Sequence, residues 1–246
     1  MKKYLLLLLI FSSLSSFNLE SEKKRIFIAG DSTAQTYKTD QTLMRGWGQI
    51  LHLFFSDNVE IVNHAIGGRS TKTFISEGRW DIKMQGAEKG DYVIIQFGHN
   101  DASTVPERHP SYKDYEANLI KFIEDAKNAG IQPILATSVV MRTFIGENLV
   151  DDRLKGYPGI TRKVAKEHNV PLIDINTVTR DFIIMLGNEA SKPYYRWLGP
   201  GVDPSKPEGV EDDTHMNELG AKQVAQFVAD GILNLQLEGL SKYVKK

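Results

Sequence analysis

Residues able to do chemistry gather in four short blocks. They are Gly30-Asp31-Ser32-Thr33, Ala65-Ile66-Gly67-Gly68-Arg69-Ser70-Thr71, Gly98-His99-Asn100-Asp101 and Asp212-Asp213-Thr214-His215. Ser32 follows an apolar run directly and sits among small residues, where a hydroxyl can be exposed. Serine is a weak nucleophile until a base takes its proton. Read alone, Gly-Asp-Ser more often marks an ordinary turn or helix cap.

Six histidines could supply that base. His52 lies in a helical pattern and His168 near a helix end. His64 closes an apolar run, and His109 sits in a loop beside Pro110. His99 and His215 remain. Only His215 has a carboxylate at a useful local spacing, Asp212, three residues earlier. A carboxylate bonded to one ring nitrogen orients the imidazole and stabilises its protonated form. Asp212 or Asp213 could equally cap the helix that follows. Acyl transfer also needs donors for a developing oxyanion. Gly67-Gly68 lets backbone approach a ligand closely, Asn100 offers an amide, and the Ser32 N–H can join them. A tight turn explains the glycines equally well in isolation, and a loop amide explains Asn100.

The elements that must position these blocks are strands alternating with helices. Arg25–Ala29, Val59–His64, Tyr92–Phe97, Pro133–Thr137 and Pro171–Ile175 are mostly continuous apolar runs, the pattern of strands buried on both faces. Segments 112–129, 154–168 and 219–235 carry apolar residues at helical spacing, and Gly130 supplies a stop. This alternation predicts a mainly parallel sheet with helices on both sides. Such sheets bind ligands beyond the carboxyl ends of their strands. Three of the four blocks follow a strand there. Segment 192–210, rich in proline and glycine, reads as a long surface loop.

Other chemistries lack their signatures. No Gly-x-Gly-x-x-Gly follows the first strand, Gly30–Ala34 is not a Gly-x-Ser-x-Gly elbow, and no His-Glu-x-x-His occurs. His99, Asp101 and His215 could share a metal, but no helical ligand spacing supports it. The chain of 246 residues has no cysteine, which excludes disulfides, thiolate sites and a lipidated cysteine anchor. Lysine plus arginine is 30 against 31 acids, without the basic surplus of a nucleic-acid binder. Met1-Lys2-Lys3, the apolar run Tyr4–Phe11 and the small residues Ser12–Ser16 have the layout of a secretory signal peptide. The expected organisation is a signal over about residues 1–17 and one domain over 18–246. The mature protein is then exported, periplasmic or extracellular, soluble and mildly acidic.

The ordered set of blocks resembles the GDSL, or SGNH, hydrolases across nearly the whole mature chain. Longer stretches are similar to the rhamnogalacturonan acetylesterase branch: Gly30-Asp31-Ser32-Thr33-Ala34, Asn63 through Thr71, Glu77-Gly78-Arg79-Trp80, Phe97 through Asp101 and Asp213 through Asn217. The resemblance implies a flavodoxin-like three-layer α/β/α sandwich with a five-stranded parallel sheet. It implies Ser32 as nucleophile, His215 as base and Asp212 as its partner. The oxyanion hole would be the Ser32 and Gly68 amides and the Asn100 side chain. No metal or cofactor is implied. The implied substrate is acetylated rhamnogalacturonan, a pectic chain with acetyl esters on galacturonate.

Galacturonate would bring carboxylates to the cleft. Arg69 adjoins the glycine pair, and Arg196 lies beside Tyr194, Tyr195 and Trp197. Arg69, Arg196 and Trp197 are therefore expected to bind substrate, although a turn-supporting bond explains Arg69 and a solvated loop charge explains Arg196. Rival expectations are an esterase for xylan, cell-wall glycan or lipid, a catalytically silent carbohydrate-binding protein, and a flavodoxin-like electron carrier.

Overall fold

The structure, a computed structural model, describes residues 23–81, 86–150 and 153–245. The expected signal segment lies outside the described residues.

Strand β1 (Lys24–Gly30) leads to the short helix α1 (Trp47–Ile50), β2 (Val59–Asn63), α2 (Thr71–Ser76) and β3 (Tyr92–Gln96). Then come α3 (Tyr112–Asn128), β4 (Gln132–Ala136), a ribbon of β5 (Phe144–Ile145) and β6 (Asn148–Leu149), and α4 (Tyr157–Glu167). The chain closes with β7 (Leu172–Ile173), α5 (Ile175–Ser191), β8 (Tyr195–Leu198), β9 (Val210–Met216) and α6 (Glu218–Asn234). The main sheet has the order β2-β1-β3-β4-β7, all parallel. This is the flavodoxin-like order, which reverses beside β1 and opens a crevice there.

The alternation of side chains explains the layers. Ile26, Ile28, Ile94 and Ile134 point to one face and pack with Trp47 and with Ala221, Val224, Ala225 and Val228 of α6. Phe27, Ala29, Val93, Ile95 and Leu135 point to the other and pack with Phe74, Leu119, Phe122 and Val164 from α2, α3 and α4. Burial on both faces is why these strands read as unbroken apolar runs. Helices α3, α5 and α6 begin at side-chain caps that satisfy otherwise orphaned amides. Ser111 accepts from Asp114 N, Asp174 from Thr177 N and Asn217 from Gly220 N.

Two expectations need correction. Segment 192–210 is not simply a loop, because Tyr195–Leu198 pairs antiparallel with Val210–Met216 as a hairpin. The strand expected over Pro171–Ile175 shortens to Leu172–Ile173, and α5 starts at Ile175. The Asp174 carboxylate draws in the Thr177 amide and stops the strand early.

Candidate active site

Ser32 occupies the turn that leaves β1 at the crevice. Its neighbours are pinned below: Asp31 Oδ1 accepts the Thr33 amide at 2.9 Å, and the Thr33 carbonyl accepts Trp47 N–H at 2.9 Å. The Tyr37 hydroxyl donates to the Ser32 carbonyl at 2.8 Å. The Ser32 side chain is left facing the cleft.

His215 and Asp212 come from β9. Arg196 pairs with Asp212 and Tyr195 with Met216, so Asp213, Thr214 and His215 fall outside the ladder register and bulge from the strand. The Asp212 carboxylate holds the bulge by accepting Thr214 N–H at 2.8 Å and His215 N–H at 3.0 Å. Its other oxygen lies 2.8 Å from His215 Nδ1, and His215 Nε2 lies 2.9 Å from Ser32 Oγ. Hydroxyl, imidazole and carboxylate thus form one continuous hydrogen-bonded chain. Burial works to raise the Asp212 pKa, but the ring bond, the attraction of His215 and the two amides outweigh it and bring it down to about 2. Asp212 is therefore a carboxylate at neutral pH, and it fixes the Nδ1–H tautomer that leaves Nε2 free to accept a proton. Asn217, not Asp212 or Asp213, caps the following helix.

The Gly67-Gly68 turn lies against Ser32. A Cβ on Gly67 would stand 3.4 Å from Ser32 Cβ and 2.7 Å from Gln35 Oε1, closer than a side chain allows. Gly68 has φ +79°, a left-handed conformation that glycine adopts without strain. The turn runs into α2, where Ser70 and Thr73 form a reciprocal capping box. Asp101 locks this helix to the third block, since its Oδ1 accepts Thr71 N–H at 2.9 Å and the Thr71 hydroxyl at 2.6 Å. Asn100, in the same block, is buried at 8% exposure. Among the described residues, no protein acceptor engages the N–H of Ser32, the N–H of Gly68 or the side-chain amide of Asn100. Three amides without a protein acceptor thus belong to the blocks that follow β1, β2 and β3, at the edge of the sheet where Ser32 meets His215.

Below lies a buried polar layer of Asp31, Gln96, His99 and Asp101. Burial lowers the His99 pKa, with Asp31 pulling the other way. Burial also raises Asp101, to about 7, against the bonds from Thr71. Among the described residues, no group of three or more His, Cys, Asp or Glu is arranged to hold a metal ion. The other histidines have local roles: His64 stacks on Phe27 at 5.7 Å, and His109 Nδ1 lies 2.8 Å from the Asp101 carbonyl.

Each of the expected substrate-binding residues makes contacts within the protein. Arg69 donates to Glu77 and to the Gly67 carbonyl, both at 3.0 Å, and so braces the glycine turn. Arg196 is no solvated loop charge: it is 5% exposed and donates to Asp203 Oδ2 at 2.9 and 3.1 Å. The hairpin folds it inward, which a loop reading did not anticipate. Trp197 donates to Asp213 at 2.7 Å, and its ring carries Arg142 at 4.7 Å and Lys192 at 4.5 Å. Reading the residues one by one missed Arg142, which is 2% exposed; its only signal was an arginine in an otherwise small, apolar stretch after β4.

A five-stranded parallel sheet with a serine, an imidazole and a carboxylate joined at its carboxyl edge defines a hydrolase of the SGNH fold class. Residues 28–223 match the GDSL-like lipase/acylhydrolase family. The chain belongs to that family and is a carboxylic ester hydrolase. It is 38% identical to the rhamnogalacturonan acetylesterase RhgT of Bacillus subtilis (strain 168), over 87% of this chain and 91% of that one. It is 35% identical to the probable rhamnogalacturonan acetylesterase YesY of the same organism, over 90% and 98%. Among solved structures, YxiM of Bacillus subtilis superposes with a TM-score of 0.74 at 24% identity, covering 89% of this chain and 58% of that one. The acetylxylan esterase Axe2 of Geobacillus stearothermophilus superposes with a TM-score of 0.64 at 16% identity, covering 92% and 98%. Both show the same fold.

Proposed function

We propose that the protein is an exported serine esterase that removes acetyl groups from rhamnogalacturonan through an acetyl-enzyme intermediate. The unbroken chain from Ser32 through His215 to Asp212 carries this reading. His215 Nε2 takes the Ser32 proton as Oγ attacks the acetyl carbonyl. The Ser32 and Gly68 amides and the Asn100 side chain receive the oxyanion. As the tetrahedral intermediate collapses, protonated His215 gives its proton to the departing sugar oxygen. Water then attacks the acetyl-enzyme with His215 again as base, and the bond to Ser32 Oγ breaks as His215 returns the proton to Oγ and acetate leaves. Asp212 stays ionised throughout and stabilises the imidazolium.

Similarity to RhgT and YesY over most of their length supports the pectic substrate. The signal-like residues 1–17 support export. The test is acetate release from a panel of acetylated pectic, xylan and cell-wall glycans, with a serine-directed phosphonate mapped by mass. Acetate from the pectic chain, a phosphonate on Ser32 and an inactive but folded Ser32→Ala are expected. A folded, fully active Ser32→Ala overturns the mechanism, and a preference for acetylxylan overturns the substrate.

A further inference from the structure

Ser32 lies against Gly67 of the Gly67-Gly68 turn, and a Cβ placed on the adjacent Gly68 would stand 3.5 Å from Arg108 Nη2 and 3.7 Å from its Cζ. A guanidinium therefore rests beside Gly68, the glycine whose amide is proposed above to receive the oxyanion, one residue from the contact with Ser32.

The backbone that carries Arg108 is firmly held. Arg108 N and His109 N both donate to the Val105 carbonyl at 3.0 Å, and Lys72 Nζ donates to the Pro106 carbonyl at 3.1 Å. His109 fastens the turn to the Asp101 carbonyl. The guanidinium itself is exposed and has no hydrogen-bond acceptor or carboxylate partner among the described residues. Five other arginines are committed to carboxylates: Arg25 to Asp91, Arg69 and Arg79 to Glu77, Arg162 to Asp174 and Arg196 to Asp203. A fixed turn that holds an exposed planar cation beside Gly68 suits an anionic group on a ligand. A guanidinium binds a carboxylate through two parallel bonds.

We propose that Arg108 binds a uronate carboxylate of the substrate and sets the preference for acidic over neutral acetylated glycans. This rests on the pectic reading above. A sugar whose acetyl oxygen occupies the oxyanion position must lie over Gly67-Gly68, and its own carboxylate or that of the next uronate then falls beside Arg108. Arg69 already braces the turn through Nε and Nη1, and Arg196 is buried with Asp203.

The experiment uses the full protein and an acetylated rhamnogalacturonan oligosaccharide, with its carboxylates free or converted to neutral methyl esters. The readout is the ratio of kcat/KM on the two forms. The wild type should favour the free acid by about tenfold, mainly through KM, as expected for one charge-assisted contact. Arg108→Gln should bring the ratio close to one, and Arg108→Lys should leave it between. Salt should raise the wild-type KM for the acid form more than for the ester. If wild type favours the acid form and Arg108→Gln keeps that ratio, Arg108 is not the reader and the pectic reading stands. A wild-type ratio near one, or a KM equally indifferent to salt on both forms, overturns the Arg108 assignment even if a variant fails to fold. Wild-type preference for acetylated xylooligosaccharide over both forms overturns the pectic reading and this proposal together.

Discussion

The Asp213 carboxylate accepts the Trp197 indole N–H at 2.7 Å across the β8–β9 hairpin. The same oxygen lies 3.3 Å from Arg142 Nη1. Its neighbour Asp212 turns the other way, to His215. Two adjacent aspartates thus divide the work: one fastens the hairpin, and the other orients the imidazole. Asp212→Asn should lower kcat by up to about 10⁴ in a folded protein, because the amide can hold the wrong tautomer. Asp213→Asn leaves Arg142 buried without its carboxylate. It should chiefly lower the melting temperature, by roughly 2–4 °C for each kcal/mol lost. Steady-state kinetics beside thermal melts separates the two, and a larger kcat loss from Asp213→Asn would reverse the roles.

Asn100 offers its amide from a block that Asp101 ties to α2. Asn100→Ala should lower kcat by roughly 10²–10³ with KM little changed, the usual consequence of removing one oxyanion donor. A raised KM at constant kcat would make Asn100 a ground-state binding residue instead.

Arg196 and Asp203 form a buried pair, with Asp203 also accepting from Ser205 and Leu43. Burial opposes ionisation of Asp203, but these bonds hold its pKa well below the ordinary value. Arg196→Ala would strand that carboxylate and should destabilise the fold by about 3–5 kcal/mol. Urea denaturation measures this. A loss below about 1 kcal/mol would place the pair among weak surface bridges.

Asp101 gives stability a pH dependence of definite sign. Its folded pKa, about 7, lies above the unfolded value of about 3.9. The folded state therefore binds the extra proton between these values. Asp101's contribution is fully present below about pH 4 and falls away as pH rises to about 7. Asp101→Asn keeps an acceptor for Thr71 and removes the titration. The melting temperature of the variant should gain on wild type from pH 4 to 7 and then run parallel. A constant difference across that range would show that Asp101 does not titrate there.

The central strands and the order of the four blocks were legible in the residues alone. Strands covered on both faces must be apolar throughout, and a parallel sheet gathers the turns after its strands along one edge, so Ser32, Gly68 and Asn100 could be placed together before any contact was known. Helix α5 was less legible, because Ile184 and Met185 are exposed and Gly187 breaks its geometry, which blurs the periodicity. The hairpin of β8 and β9 was hidden, since its strands are separated by a Pro/Gly-rich stretch and stabilise each other only once paired. The arginines mark the boundary most clearly. In sequence Arg69 and Arg196 lie near suggestive neighbours, and nothing there singles out Arg108. Only the tertiary structure decides that Arg69 braces a turn, Arg196 is buried on Asp203 and Arg108 stands over Gly68 without an ion-pair partner among the described residues. An ion pair is made between residues distant along the chain, and no local pattern records which partner folding brings within reach.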